Sequence, residues 1–294
     1  MKYGFNAIAD LLKRSMVLIQ EMRLKAAERR GETSLIDWQE KDDGSLVTDV
    51  DTGNEMFLRE NLTAGGEFFF GEESIASMMK DKRNAQVAQE YVDKALQGET
   101  WVVDPIDGTA PFAHRLPLWG ISIGYMVGGV LRDGAIALPD LGQCFLTDGD
   151  AVKMATNIHA PLDEWRWQTL TQPVDVWNPG RMITLGQRFT RERTLPFKNP
   201  VMTPGSAVHS LSCLLTGNAI AYVGHVKLWD IAGVLPMLCR LGFRQQLLNG
   251  ALMTENILRD NVFDLDMMSD ECWALKDTFI CARPNVLEYV RARL

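Results

Sequence analysis

Residues 101–109 read Trp101-Val102-Val103-Asp104-Pro105-Ile106-Asp107-Gly108-Thr109, and this run constrains the chain more than any other. Three apolar residues end a buried strand, and two carboxylates follow across a Pro-Ile pair. Oxygen ligands are thereby delivered at the carboxyl end of a strand, the edge at which α/β sheets carry their sites. Pro105 keeps Asp104 out of the α region, so the strand passes straight into a fixed turn. Asp104 and Asp107 can then aim at one point, with the Ile106 carbonyl beside them. Hard oxygens of this kind suit Mg²⁺, which is held by a few carboxylates, waters and substrate phosphate. Gly108 and Thr109 lead into Ala110-Pro111-Phe112-Ala113, a short helix with Pro in its first turn. Backbone N–H groups at such a helix start face an anion. Taken alone, the run also reads as an Asp-rich turn with Thr109 as a helix N-cap.

Three further segments carry acids in comparable settings. Glu67-Phe68-Phe69-Phe70 reads as a buried strand and ends in Gly71-Glu72-Glu73-Ser74. Ser45-Leu46-Val47-Thr48-Asp49-Val50-Asp51 precedes a helix running to about Leu62, for which Thr52 and Glu55 form a capping box. Lys227-Leu228-Trp229-Asp230-Ile231-Ala232-Gly233 places Asp230 as the N-cap of a helix carrying Leu235, Leu238 and Cys239. Each segment alone has an ordinary reading as surface charge or a cap. Together, and in this order, the four resemble the inositol monophosphatase-like family of Mg²⁺-dependent phosphatases. Ala113-His114-Arg115-Leu116-Pro117, leading into Ile121-Ser122-Ile123-Gly124, is similar to the same family, as is the small loop Gly205-Ser206-Ala207 before a helix. The resemblance covers nearly the whole chain.

The resemblance implies a layered α-β-α-β-α sandwich with the site between its halves. It implies Mg²⁺ held by Glu72, Asp104, Asp107 and Asp230, with the Ile106 carbonyl as a backbone ligand. Asp51 and Thr109 would hold and deprotonate the attacking water, and Glu72 would also touch the metal that carries it. Asp107, Gly108, Thr109, Gly205, Ser206 and Ala207 would bind substrate. The implied reaction is hydrolysis of a small phosphate monoester by direct attack of a metal-activated water, with no covalent phosphoenzyme. Inositol-specific members carry a Glu seven residues before the Trp-Asp aspartate, and this chain has Val223 there. Ala110-Pro111 also replaces a polar pair, and Lys41 aligns with a family lysine only after an offset of one residue. The substrate therefore stays open among inositol monophosphate, fructose 1,6-bisphosphate, adenosine 3′,5′-bisphosphate and histidinol phosphate. A regulatory or scaffold protein retaining the fold is the non-enzyme alternative, but a pure scaffold has no physical need for the acids.

The remaining chain sets the limits. At 294 residues and 46% hydrophobic content it can bury a large core, as one large domain or two abutting ones. Acids outnumber bases 38 to 30, a formal net charge of −8, which argues against a nucleic-acid binder. Five cysteines with no C-x-x-C pair predict reduced thiols and a cytoplasmic protein. The start of the chain lacks a signal-peptide pattern, and no apolar run approaches the roughly 18 residues of a membrane span. Phe5, Ile8, Leu12, Met16, Ile19 and Met22 form an apolar stripe at helical spacing. Residues 1–154 read as an α+β half with a meandering sheet. Residues 155–294 read as an α/β half, with a strand near 181–185, helices near 206–216 and 230–240, and a last helix from Pro284. Between them, 155–180 reads as a connection in which Trp165, Trp167 and Trp177 serve packing or a subunit interface. His209 reads as a packed helix histidine, and a homodimer is expected.

Overall fold

The computed structural model describes residues 4–30, 36–40, 46–80, 85–192 and 198–294. Lys41 lies outside them. The chain opens with the long helix α1 (Phe5–Arg30), a ribbon of β1 (Gln39–Glu40) and β2 (Leu46–Val47), and α2 (Asp49–Leu62). β3 (Phe68–Gly71) runs directly into α3 (Glu72–Lys80), and α4 (Ala85–Gln97) leads into β4 (Glu99–Asp107) and the short α5 (Thr109–Ala113). A meander follows, through β5 (Gly120–Val127), β6 (Val130–Leu138), β7 (Gln143–Asp148), β8 (Ala151–Thr156) and β9 (Arg166–Thr169). β3 to β9 form one sheet in sequence order; β3 and β4 are parallel and the rest antiparallel.

The second sheet contains β10 (Met182–Leu185), β11 (Val201–Met202), β12 (Ala219–Gly224), β13 (Arg244–Leu247), β14 (Leu252–Met253) and β15 (Phe279–Ala282), in the order β11-β10-β12-β15-β13-β14. Its helices are α6 (Gln187–Glu192), α7 (Ala207–Leu215), α8 (Leu228–Ala232), α9 (Leu235–Arg240), α10 (Ile257–Asp260) and α11 (Pro284–Arg291).

Three apolar clusters give the layering. Ile8, Leu12, Met16 and Ile19 of α1 and Leu58 of α2 pack on Trp101, Val103 and Ile121 of the first sheet, as the helical stripe predicts. The opposite face of that sheet, with Val102 and Ile136, meets Leu211, Leu228, Ile231 and Leu235 from α7, α8 and α9. Tyr222 and Phe279 of the second sheet close the same cluster from beyond. Phe189 of α6 and Val286 and Leu287 of α11 cover the second sheet's outer face. The result is the expected α-β-α-β-α sandwich.

The contact between α8 and the first sheet is backbone on backbone. A Cβ on Gly124 would lie 2.6 Å from the Ala232 Cβ, one on Gly233 would lie 2.6 Å from the Ala135 carbonyl, and one on Gly134 would come closer still to the Gly233 carbonyl. Ser122 Oγ donates to the Trp229 carbonyl (2.8 Å) and accepts from Gly233 N (3.1 Å), pinning both ends of α8.

Several sequence expectations need correction. The cap of α2 is Thr48, whose extended backbone (φ −121°, ψ 162°) lets its side chain accept from Val50 N and Asp51 N, while Asp51 reaches back to Thr48 N. Thr52 falls inside the helix because Thr48 and Asp51 stand at the same capping spacing one turn earlier. Asp230 is the third residue of α8 rather than its N-cap, accepting from Lys227 N at 2.8 Å. The single helix read near 230–240 is broken at Gly233-Val234 into α8 and α9, with Pro236 in the first turn of the second. The connection read over 155–180 contains β9, which pairs with β8 from Lys153↔Thr169 to Thr156↔Arg166. Its tryptophans pack. Trp167 meets Phe5 edge-on at 4.5 Å, and Trp177 stacks on Tyr289 at 3.4 Å.

Candidate active site

β4 carries the first two acids, and its pairing with β5 explains how they converge. The register is regular to Asp104↔Ser122, then slips before Asp107↔Gly120. Pro105 has no N–H to give the ladder, so the strand bulges at Pro105-Ile106, and a bulge re-aims the side chains beside it. Asp104 Oδ1 accepts from Ile106 N at 3.0 Å, and Asn54 of α2 donates to the Pro105 carbonyl at 2.9 Å, locking the turn. Gly108 then takes a left-handed φ of +89° with no room for a side chain, since a Cβ would lie 2.8 Å from Ser206 Cβ.

Asp104, Asp107 and Asp230 each offer a carboxylate oxygen such that the three lie within 4.8 Å of one another. Asp107 is also clasped by the second half. Its Oδ2 accepts from Val208 N (2.7 Å) and from Ser206 Oγ, and its Oδ1 from Ala207 N (3.3 Å). The Gly205-Ser206-Ala207 loop and the start of α7 thus wrap one carboxylate of the first half. Glu72 opens α3 directly after β3, and its charge is felt by Asp51, Asp104, Asp107 and Asp230.

The electrostatics follow from burying acids side by side. Burial first, then the charges of Glu72, Asp107 and Asp230, hold the Asp104 carboxyl well above the ordinary carboxylate range. Asp230 is pushed well up in the same way, by burial and then by Asp107 and Glu72. Asp107 rises to about 6 through burial, against the hydrogen bonds from Ser206, Val208 and Ala207. A hard cation would relieve the mutual repulsion of such a set, and an all-oxygen donor set fits Mg²⁺ in kind.

Asp51 and Thr109 meet beside this cluster. Thr109 Oγ1 lies 3.0 Å from Asp51 Oδ1 and 3.2 Å from the Ile106 carbonyl. Asp51 Oδ2 accepts from the amide and the hydroxyl of Thr48. Asp51 is fully buried, and burial raises its carboxyl to about 6 in spite of the Thr48 bonds, with the Glu72 charge adding to the rise.

The structure therefore brings Asp104, Asp107 and Asp230 together, with Glu72 and Asp51 close enough for their charges to act on Asp104, and with Ile106, Gly108, Thr109 and the 205–207 loop beside them. His209 is buried on α7, its amide donating to Ser206 Oγ at 3.0 Å. Glu55 escaped sequence reasoning, which took it for half of a capping box. It accepts instead from Glu73 N (2.7 Å) and Ser74 N (2.8 Å), fastening the start of α3, and so Glu72, to α2. Asn54 was also missed, with no sequence pattern to mark it, and Ser122 was read only as part of the Ile121–Gly124 segment, without its bonds to α8.

The sequence pattern of the Inositol monophosphatase family matches residues 7–242. Inositol-1-monophosphatase SuhB of Mycobacterium tuberculosis is 31% identical over 201 residues, 63% of this chain and 63% of the relative, so the match spans less than two thirds of that protein. The Thermotoga maritima IMPase structure superposes with a TM-score of 0.65 at 16% identity, covering 97% of this chain and 93% of that one. The structure of the inositol monophosphate-bound SaIMPase-II gives 0.59 at 18% identity, covering 97% and 91%.

Proposed function

Because this chain belongs to the inositol monophosphatase family, we propose that it is a Mg²⁺-dependent phosphatase that hydrolyses a small phosphorylated metabolite by direct attack of water. The observation that carries this reading is the Asp51–Thr109 pair standing beside three converging carboxylates. Glu72, Asp104, Asp107, Asp230 and the Ile106 carbonyl would hold the metal. Bound Mg²⁺ supplies charge neutralisation of the phosphoryl oxygens and acidification of water. The chain's own residues do the rest. Thr109 Oγ1 takes a proton from the attacking water as it gives its own to the Asp51 carboxylate, to which it already donates. A buried acid near pH 6 is poised for that base role. The N–H groups of Gly108 and Thr109 meet the phosphate, where fixed dipoles stabilise developing charge. Gly205, Ser206 and Ala207 shape the side facing the alcohol.

Position 223 brings no carboxylate to accept a hydrogen bond from an inositol hydroxyl, so inositol 1-phosphate is turned over without being the favoured ester. The test is a panel of inositol 1-phosphate, fructose 1,6-bisphosphate, adenosine 3′,5′-bisphosphate and histidinol phosphate, assayed with and without Mg²⁺. One lost contact lowers selectivity roughly ten- to a hundredfold. No Mg²⁺-dependent release of phosphate from any ester refutes the enzyme reading. A preference for inositol 1-phosphate above about a hundredfold refutes the pocket argument. The same reading puts the enzyme in the cytoplasm as a homodimer. Its five free cysteines support that compartment, and light scattering checks the dimer. No helix among the described residues is long and apolar enough to cross a membrane.

A further inference from the structure

Successive side chains of β12 point to opposite faces of the second sheet. Val223, standing where the family resemblance calls for a carboxylate, is fully buried with Ile183, Leu185, Phe189 and Ile280 on the outer face. It does not look into the cleft at all. Tyr222 takes the inner face, 5.3 Å from Phe279 and 2% exposed. Its ring lies along the strand toward the carboxyl end, over two glycines. A Cβ on Gly186 would come within 3.1 Å of Tyr222 Oη, and one on Gly224 would collide with it. The next residue after Gly186 is Gln187, whose Nε2 would lie 2.7 Å from a Cβ on Gly205, in the loop that clasps Asp107. The phenol therefore stands at the same end of the second sheet as that loop, and the charges of Asp230 and Asp107 join burial in holding it protonated. No described residue hydrogen-bonds Oη, and unlike His209 Nδ1 it is not among the sealed polar atoms that lack a partner. A nearly buried hydroxyl at such a position requires a partner from outside the protein, because leaving it unpaired is costly.

We propose that Tyr222 Oη is a specificity-determining donor, binding an oxygen of the alcohol portion of a hydroxylated phosphate monoester on the second-sheet side of the carboxylate cluster. The inference rests on the phosphatase reading and deepens it. A donor in place of an acceptor changes what is read: the substrate must present a lone pair there. Polyol and sugar esters do so, and an unsubstituted aryl ester does not.

The experiment is steady-state kinetics of Tyr222→Phe with Mg²⁺ on inositol 1-phosphate, glycerol 2-phosphate and phenyl phosphate. KM for the two hydroxylated esters should rise about five- to tenfold, the scale of one neutral hydrogen bond, while both constants for phenyl phosphate stay within about twofold. Gly186→Ala keeps the hydroxyl but crowds it, and should give the same selective rise in KM. An equal loss of kcat on all three esters makes Tyr222 part of the acid cluster's support and overturns the inference, as does no change on any of them. If the wild-type protein hydrolyses none of the three but releases phosphate from another ester of the wider panel, this inference falls and the phosphatase reading stands; release from no ester at all takes both.

Discussion

In the metal-free protein, Asp51→Asn should reverse the usual expectation for a substituted active-site acid by raising stability at neutral pH. Asp51 is fully buried, so solvent screening takes little from its shift. Its carboxyl titrates at about 6 instead of 3.8, so the folded protein binds this proton more tightly than the unfolded chain. Below pH 3.8 the neutral acid's contribution to stability is fully present, and it is lost as pH rises through 6. A shift of that size corresponds to about 3 kcal/mol of cost at pH 7.5. An amide carries no such cost. It keeps an acceptor for Thr48 N but mismatches one hydroxyl, a constant loss of about 1 kcal/mol. The stability difference between variant and wild type should therefore swing by about 3 kcal/mol in favour of Asn between roughly pH 4 and pH 7.5, worth about 6 °C in Tm. His209 and His225, whose pKa values burial lowers, favour the opposite pH trend, but they are common to both proteins and cancel. The assay is thermal or urea unfolding of both proteins in EDTA across that range. A flat difference curve, or one that swings toward the wild type as pH rises, refutes the reasoning, because it means that the Thr48 and Thr109 hydrogen bonds outweigh burial. Saturating Mg²⁺ should shrink the swing, since cations compensate the same charge.

Asp104→Asn and Asp230→Asn should each lower kcat by orders of magnitude and weaken the stabilisation by Mg²⁺ seen in thermal melts, with an intact circular dichroism spectrum. Full activity in Asp104→Asn removes it from the metal set. Thr109→Ala should lower kcat by about a hundredfold with little change in KM or Mg²⁺ affinity, and Asp51→Asn combined with it should lose little more than either alone. Multiplicative losses show that the two do not act on one water. Gly108→Ala must hold a left-handed φ and push a methyl into Ser206, so it should lose about 1–3 kcal/mol of stability and most activity together; wild-type behaviour in both measurements contradicts the packed turn.

Convergence of the acids was legible because it is local chemistry repeated at strand and helix ends. An apolar run followed by Asp104-Pro105-Ile106-Asp107 can hardly do anything but turn carboxylates out of a sheet. Element boundaries were less legible where two equal patterns overlap. Thr48 with Asp51 and Thr52 with Glu55 have the same capping spacing, and only the position of Asp51 over the site selects between them. Selecting the first frees Glu55 to cap α3 across 18 residues of sequence, a contact no window of local pattern contains. β9 was hidden because three of its four residues are exposed and its one tryptophan, Trp167, answers to α1, not to the strand period. Val223 shows a different limit. The sequence reads it as the loss of a carboxylate, but which face of the sheet it occupies is decided by register with β10 and β15.

The glycine seam between α8 and the first sheet has a mechanical consequence. With the backbone at Gly124 and Gly134 touching the backbone at Ala232 and Gly233, there is no compressible side chain between the layer that carries Asp230 and the layer that carries Asp104 and Asp107. The seam acts as a hard stop, so the spacing of the three carboxylates is fixed when the two sheets dock and not when a ligand arrives. Sliding one half over the other would have to lift α8 off its seat, which also breaks both Ser122 hydrogen bonds. Whatever give this site has must come from the elements that touch the cluster from one side only, α3 with Glu72 and the 205–207 loop. A methyl group added at Gly134, remote in sequence from all three acids, would work as a wedge that moves Asp230 without touching it.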